Sequence, residues 1–176
     1  LKVCNADYGE NNWRGINELV LKDGFIISSI AKMNEYYLAL AGDDRRHYTM
    51  CHEIGHGLGL PHSDEEYDNS DLGNCMDYTN NPKNNMRPDR SNFDDLMDLY
   101  GSIEEDNDGR GLLRGSDLKS KLTGIPEKII SQIDEVRLEL LDDAEGTRNL
   151  ESKQHSTRVW DLDDSYQFQI SVLWDE

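Results

Sequence analysis

The residues whose types and spacing could do chemistry lie in one short stretch, HEIGHGLGLPH, at positions 52–62. His52 and His56 are four residues apart, so in a helix they lie on one face and can offer two nitrogens to one ion. Catalytic zinc typically takes three protein ligands and leaves the fourth position to water. His62 is the candidate third ligand, and the stretch therefore predicts a catalytic zinc site.

The chain must turn between His56 and His62 if both are to reach one ion, and the sequence provides for that turn. Gly59 can adopt a positive φ at little cost just past a helix end. Pro61 then prevents the helix from resuming. We therefore expect the helix to end near Leu58 and His62 to approach the ion from a different direction.

Glu53 is the candidate general base. It is adjacent to His52, so its side chain is rotated by about 100° around the helix and would stand beside the ion rather than on it. Zinc lowers the pKa of its bound water to about 7, so a nearby carboxylate can take the proton at neutral pH. The alternative for the whole stretch is a helix whose histidines face solvent.

The long motif H-E-x-x-H-x-x-G-x-x-H, followed by NCMDY at 74–78, resembles the metzincin zinc endopeptidases, whose signature is this motif and a methionine turn. The resemblance implies that Met76 is an apolar floor beneath the zinc ligands; the alternative is ordinary core filling. Tyr78 resembles a tyrosine of astacin- and serralysin-like members that ligates zinc or binds the reaction oxyanion, and its alternative is a half-buried core tyrosine. Ser63, directly after His62, instead resembles the matrixins.

The cysteines add a possible covalent link. Cys51 immediately precedes His52, and Cys75 immediately precedes Met76. If both segments converge under the zinc, as the resemblance implies, a Cys51–Cys75 disulfide would tie the active-site helix to the methionine turn. It would close a loop of about 24 residues and contribute roughly 3 kcal/mol. Two buried free thiols, or Cys4 as the partner, remain alternatives because sequence does not fix connectivity.

Composition limits the classes of partner. The chain has 176 residues and a formal net charge of −18, with no basic stripe, which argues against nucleic acid. No apolar run approaches the length of a membrane span. We expect a protein or peptide substrate and a monomeric protein. No signal-peptide pattern is visible and the first residue is Leu1, as in a processed product or a fragment; an extracellular location is what the resemblance implies.

Several elements must position these residues. Arg14–Leu21 and Phe25–Asn34 are rich in apolar and β-branched residues, and together they predict a hairpin with a turn at 22–24. The resemblance implies that Phe25–Met33 or its neighbour is a sheet edge that lines the substrate; the alternative is that both strands are interior. The active-site helix is expected at residues 43–58.

Caps and later elements can also be predicted. Asp43 or Asp44 is the candidate N-cap of the active-site helix. Ser91 or Asn92 is expected to cap a second helix that Gly101 ends. The acidic segment 63–75 could be a calcium loop, although no ligand spacing stands out and a solvated loop is the alternative. Apolar spacing predicts a helix within 125–141 and strands at 158–162 and 166–174.

These elements predict an α+β fold. Residues 1–101 would form a metzincin-like catalytic domain with a small twisted sheet, an active-site helix, a methionine turn and a C-terminal helix. Residues 102–176 would form an acidic linker, a helix and a β-hairpin appendage. Only 51 residues precede His52, so part of the family's upper subdomain could be missing. The expected function is a zinc-dependent endopeptidase; the alternatives are an inactive zinc-stabilised binding module and an acidic calcium-dependent interaction protein.

Overall fold

A computed structural model describes residues 1–66, 69–79, 81–101, 104–105, 111–112, 125–146 and 156–174. Within these residues the chain is mixed α and β, in agreement with the expected class. The elements are, in chain order, β1 (Lys2–Ala6), β2 (Trp13–Lys22), β3 (Phe25–Asn34), α1 (Glu35–Leu38), α2 (Asp43–Gly57), a 3-10 turn (Pro82–Asn84), α3 (Arg90–Tyr100), β4 (Glu104–Glu105), β5 (Gly111–Leu112), α4 (Glu127–Gly146), β6 (Ser156–Asp161) and β7 (Tyr166–Trp174).

The main sheet has five strands in the order β1-β3-β2-β7-β6. The predicted hairpin is confirmed: β2 and β3 pair antiparallel, and the turn uses positive φ at Asp23 and Gly24. β1, which was not predicted as a strand, pairs parallel with β3 at Ile30–Asn34. That part of β3 is therefore interior, whereas Phe25–Ser29 pairs only with β2 among the described strands.

The strands that follow α4 belong to the same sheet. β7 pairs antiparallel with β2 along its whole length, and β6 pairs with β7. The division at residue 101 into a catalytic domain and an appendage stays a prediction, but two of the five strands come from the predicted appendage. The acidic linker predicted between the two segments lies largely outside the described residues.

Helices cover both faces of the sheet. α4 packs on one face, because its apolar residues meet alternate residues of β2 and β7; this buried cluster comprises Trp13, Val20, Ile129, Ile133, Tyr166, Phe168, Ile170 and Val172. α2 packs on the opposite face, where Asn17 of β2 donates a hydrogen bond to the Glu53 carbonyl (2.8 Å). None of the described helices is long and apolar enough to cross a membrane.

The N-cap predictions for two helices were wrong. α2 begins at Asp43, and its N-cap is Gly42, which makes no side-chain hydrogen bond. Asp43 and Asp44 therefore lie in the first turn, where their negative charges interact favourably with the helix dipole. α3 is capped by Asp89, whose carboxylate accepts from the backbone N–H groups of its second and third helical residues. The residue expected as cap, Asn92, instead completes this capping box by accepting from the Asp89 N–H.

Candidate metal centre

Three imidazole nitrogens converge on one point. The Nε2 atoms of His52 and His56 are 3.0 Å apart, those of His56 and His62 are 3.1 Å apart, and those of His62 and His52 are 3.3 Å apart. Two nitrogens at tetrahedral positions about 2.0–2.1 Å from a zinc ion would be about 3.3 Å apart. The triangle therefore has the size that one metal ion requires, and these three histidines could hold such an ion.

The end of α2 delivers the third histidine as the sequence predicts. The helix ends at Gly57 with Leu58 as its C-cap, and Gly59 takes a positive φ of 91°. The Leu60 N–H then donates to the Gly55 carbonyl (3.0 Å), which closes the turn. His62 consequently approaches from outside the helix and meets the two ligands that α2 carries.

Backbone carbonyls fix the orientation of two buried histidines, His52 and His56. His52 Nδ1 lies 2.7 Å from the Cys75 carbonyl oxygen, and His56 Nδ1 lies 2.9 Å from that of Leu60. A carbonyl can only accept, so each Nδ1 carries the hydrogen and each Nε2 presents a lone pair. Two lone pairs 3.0 Å apart repel one another unless a cation lies between them. The donor set therefore fits a metal ion.

Burial keeps His56 and His62 in their neutral form. Burial, together with the neighbouring His62, lowers the pKa of His56 to about 3. Burial also lowers the pKa of His62 to about 4, against a smaller raising effect of Asp64. Neutral imidazole is the form that ligates metal, so both side chains are ready to bind at neutral pH.

Glu53 lies beside this triad with its carboxylate fully buried. Neither of its carboxylate oxygens has a hydrogen-bond partner in the described part of the chain. Burial raises the pKa of Glu53 well above its ordinary value, and the positive charge of Arg14 opposes that rise. The carboxylate fits because β2 has a glycine opposite it: a Cβ on Gly15 would overlap Glu53 Oε1. A buried acceptor with no protein donor is suited to a small polar molecule such as water.

Arg14 is a neighbour of the site that sequence reasoning missed. It is buried at an irregularity in β2, where the register with β7 shifts between Trp13 and Gly15. Its guanidinium carbon lies 5.9 Å from the centre of the Tyr48 ring, on the α2 side of the sheet. Bulges redirect side chains in this way. Because a bulge is defined by the partner strand, no local pattern in the sequence indicated it.

Met76 packs directly against α2. It is fully buried, and its sulfur occupies the space that a Cβ on Gly55 would need. The turn that carries Met76 is bonded to the segment after the third histidine, because the Ser63 N–H donates to the Met76 carbonyl (2.9 Å). Asn74 Oδ1 accepts from both the Met76 N–H (2.9 Å) and the Ser63 hydroxyl (2.8 Å). Ser63 thus has a local structural role that holds the turn near the site.

The predicted disulfide is confirmed. Cys51 of α2 is bonded to Cys75, and their Cα atoms are 5.8 Å apart; Cys4 is a free thiol. The bond joins the residue before one ligand to the residue whose carbonyl orients that same ligand, His52. Tyr78 is also close to the triad: it is buried, and its ring centre lies 5.9 Å from that of His62. Its proposed chemical roles stay predictions.

Two acidic residues after His62, Asp71 and Asp77, accept hydrogen bonds from nearby residues of the chain. Asp77 Oδ2 accepts from the Leu72 N–H and from the Asn85 amide, both at 2.9 Å. Asp71 accepts from Asn85 and from Thr79. Among the described residues, the three histidines are the only group of three or more His, Cys, Asp or Glu side chains that could hold a metal. The calcium-loop prediction therefore gains no support from this part of the chain.

Comparisons with protein-family models, with curated proteins and with solved structures found no match. The centre is therefore characterised by its own residues. It combines three converging imidazoles, one buried carboxylate without a protein donor, and a disulfide that ties the helix to the turn beneath it.

Proposed function

We propose that the protein is a metzincin-type zinc endopeptidase that hydrolyses peptide bonds at the site formed by His52, His56, His62 and Glu53. The observation that carries the proposal is the convergence of three Nε2 atoms within 3.0–3.3 Å of one another. Three histidines that leave a further position open are typical of catalytic rather than structural zinc sites. The Met76 turn and the long histidine motif support the metzincin type.

The donor set favours zinc among the metals that imidazole binds. The three Nε2 atoms are spaced as the corners of a tetrahedral zinc site require. When bound, zinc would act as a Lewis acid that polarises the scissile carbonyl and lowers the pKa of a water to about 7. Removal of the metal with a chelator should therefore abolish hydrolysis.

The chain's own residues supply the proton transfers. Glu53 takes a proton from the attacking water, whose oxygen bonds to the carbonyl carbon. As the carbon–nitrogen bond breaks, Glu53 passes that proton to the leaving nitrogen. Burial raises the pKa of Glu53, and a general base is most effective when its pKa lies near the working pH. Tyr78, adjacent to His62, is the candidate donor to the oxyanion.

A second candidate function is a zinc-stabilised binding module without catalysis. It is favoured by one observation: His52 and Glu53 are both fully buried, as in a closed structural site. A structural site has no need for a carboxylate without a hydrogen-bond partner, however, and closed sites normally take a fourth protein ligand. We therefore prefer the enzyme.

The decisive experiment measures hydrolysis of denatured casein by zinc-loaded protein, with and without a chelator. We expect Glu53→Ala to bind zinc as wild type does and to lose at least a hundredfold in rate. Glu127→Gln, on the exposed surface of α4 across the sheet, is the matched carboxylate control and should retain full activity. Equal hydrolysis by wild type and Glu53→Ala would exclude this mechanism.

The disulfide and the net charge indicate where the proposed enzyme acts and which substrates it accepts. Disulfides persist in oxidising compartments, so the Cys51–Cys75 bond supports a secreted protein. The net charge of −18 disfavours acidic substrates. We therefore propose a secreted, monomeric enzyme that acts on neutral or basic protein segments.

A further inference from the structure

Tyr48 is a buried tyrosine of α2 to which the proposed mechanism gives no role. It lies four residues, about one helical turn, before His52, and the centres of the two rings are 5.4 Å apart. Its side chain has no exposed surface. It belongs to the apolar cluster beside the metal centre, whose buried members are Tyr48, Leu60, Cys75, Met76, Tyr78 and Leu173. A phenol hydroxyl placed among such residues needs a hydrogen-bond partner.

The partners of this hydroxyl lie on the two sides of Tyr78. The Tyr48 hydroxyl donates a buried hydrogen bond to the Asp77 carbonyl oxygen at a distance of 2.8 Å. Burial raises the pKa of Tyr48, and the positive charge of Arg14 and a hydrogen bond from the Thr79 backbone oppose that rise. The hydroxyl therefore stays protonated at neutral pH. It bonds the backbone of the residue before Tyr78 and that of the residue after it.

Other bonds hold the same two residues in their own loop. The Asp77 carboxylate accepts a hydrogen bond from the Asn85 amide at 2.9 Å. The Thr79 hydroxyl donates to the Asp71 carboxylate at 3.1 Å. These bonds do not involve Tyr48, so we expect the loop to keep its fold when the Tyr48 hydroxyl is removed. What this hydroxyl adds is a link between residues 77–79 and α2, the helix that carries two of the three histidines.

Tyr78 itself lies beside the third histidine. It is buried, and its ring centre is 5.9 Å from that of His62. Its phenol is the candidate donor to the oxyanion of the proposed reaction. Such a donor is effective only at hydrogen-bond distance from the place where the charge develops. A misplacement of about 1 Å can lower a rate by about a hundredfold. The backbone at Tyr78 must therefore be fixed relative to the helix that carries the ligands.

We propose that Tyr48 is a positioning residue of the catalytic site, whose hydroxyl holds the backbone on both sides of Tyr78 and thereby fixes the Tyr78 phenol relative to the metal centre. This inference rests on the proposed endopeptidase function, with Tyr78 as the oxyanion donor. Tyr48 does not touch the substrate. It acts through Tyr78, because a functional side chain keeps its geometry only when the groups behind it are held in place.

Positioning through Tyr78 has a kinetic signature. An interaction that is made only in the transition state changes kcat and kcat/KM by the same factor and leaves KM unchanged. Two residues that act as one unit are not additive. Loss of the Tyr48 hydroxyl should therefore cost little once the Tyr78 phenol is already absent. A residue that only supported the fold would lower the rate by the same factor whether or not that phenol is present.

The first test measures hydrolysis of a quenched fluorescent peptide by the zinc-loaded full chain. We expect Tyr48→Phe and Tyr78→Phe each to lower kcat by about tenfold or more, with KM and zinc affinity within about twofold of wild type. In the Tyr78→Phe background, Tyr48→Phe should lower kcat by less than about twofold. Tyr37→Phe is the matched control and should leave kcat unchanged, because the Tyr37 hydroxyl also bonds a backbone group, the Asn12 N–H, but lies in α1.

Two kinetic results would overturn the proposal. One is an unchanged kcat in Tyr48→Phe, and the other is an equal loss of kcat from Tyr48→Phe with and without the Tyr78 phenol. Either result, obtained with an active wild-type protein, would leave the endopeptidase function standing.

A second measurement does not depend on hydrolysis. In zinc-loaded protein with carbon-13 in the tyrosine rings, the NMR signals of Tyr78 are identified by their loss in Tyr78→Phe. These signals should shift or broaden in Tyr48→Phe and stay unchanged in Tyr37→Phe. This result without hydrolysis by the wild-type protein would support the positioning of Tyr78 by Tyr48 and contradict the proposed function. Unchanged Tyr78 signals in Tyr48→Phe would overturn the proposal.

The unaltered protein covers the case in which Tyr48→Phe does not fold. In equal volumes of water and deuterium oxide, the Cζ atom of Tyr48 should give separate signals for the protonated and the deuterated hydroxyl, because a buried donor that is hydrogen-bonded exchanges slowly. A single averaged signal would show that the hydroxyl is not held by the Asp77 carbonyl, which would overturn the proposal.

Discussion

At the scale of single residues, the most unusual environment is that of Glu53. An ionisable side chain without a hydrogen-bond partner in the interior costs about 1–3 kcal/mol or more. Here Gly15 of β2, which has no side chain, leaves space for the carboxylate. β2 donates no hydrogen bond to it. Such an arrangement lowers stability and leaves both oxygens available for a reaction, which is the pattern expected where local structure serves function.

Replacing Glu53 by glutamine should therefore stabilise the metal-free protein while it abolishes hydrolysis. The raised pKa of Glu53 means that its contribution to stability is full below about pH 4.5 and is lost as pH rises toward its folded-state pKa. We expect the free energy of unfolding of Glu53→Gln to exceed that of wild type by about 1–3 kcal/mol at pH 8. Chemical denaturation at pH 5 and pH 8 measures this; a gap that does not widen with pH would contradict it.

Gly55 should be intolerant of even one methyl group. In an open helix, Gly→Ala stabilises by about 1 kcal/mol. At Gly55 the new Cβ would overlap the Met76 sulfur, so we expect a loss of about 1–3 kcal/mol in unfolding free energy and weaker zinc binding. A double-mutant cycle that combines Gly55→Ala with Met76→Ala is the control. If the contact is the cause, Gly55→Ala should no longer destabilise in that background.

At the scale of elements, α2 and the Met76 turn are locked together by a covalent bond, by packing and by the His52 hydrogen bond to Cys75. Removing the disulfide by Cys51→Ala with Cys75→Ala should lower the free energy of unfolding by about 3 kcal/mol. Zinc affinity should fall about 10–100-fold, because the carbonyl that orients His52 is then less well held. Cys4→Ala is the matched control. A comparable loss of stability and zinc affinity in Cys4→Ala would contradict this role of the disulfide.

The parts of the fold that sequence could predict are those encoded locally. Gly59 and Pro61 indicated where α2 ends, and the apolar and β-branched residues of β2 and β3 predicted the hairpin. The helix caps were harder: Asp89, Ser91 and Asn92 are all good cap residues, and only the path of the incoming chain selects Asp89. β1 offered no periodic apolar signal because most of its residues are exposed.

At the scale of the whole molecule, the sheet depends on pairings that no local pattern could reveal. β2 lies between β3 and β7, and its partner in β7 is about 150 residues away in the chain. The burial of Leu173 and the bulge at Arg14 both result from this pairing. The sequence predicted β7 as a strand but not its neighbour, so the burial of Leu173 in the apolar cluster beside the metal centre could not be predicted.

One ion-pair network joins the sheet to α4. Glu18 of β2 is buried and contacts Lys32 of β3 with one carboxylate oxygen and Arg137 of α4 with the other. Glu18→Gln should lower the unfolding free energy by roughly 1–3 kcal/mol; because both partners are partly exposed, the loss is smaller than for a fully buried pair. Arg90→Ala, which breaks an exposed pair with Asp94, should change it by less than about 0.5 kcal/mol. Equal effects in denaturant titrations would contradict this role.

The burial of His56 and His62 also determines how many protons the protein would release when it binds a metal ion. At pH 6, two histidines with ordinary pKa values would together release about 1.5 protons on binding an ion. His56 and His62, with pKa values of about 3 and 4, would release almost none. Calorimetric titration with zinc at pH 6 in buffers of different ionisation enthalpy should therefore show fewer than one proton released. Metal binding by His56 and His62 would then depend little on mild acidification, and an ion held there would stay bound in acidic surroundings.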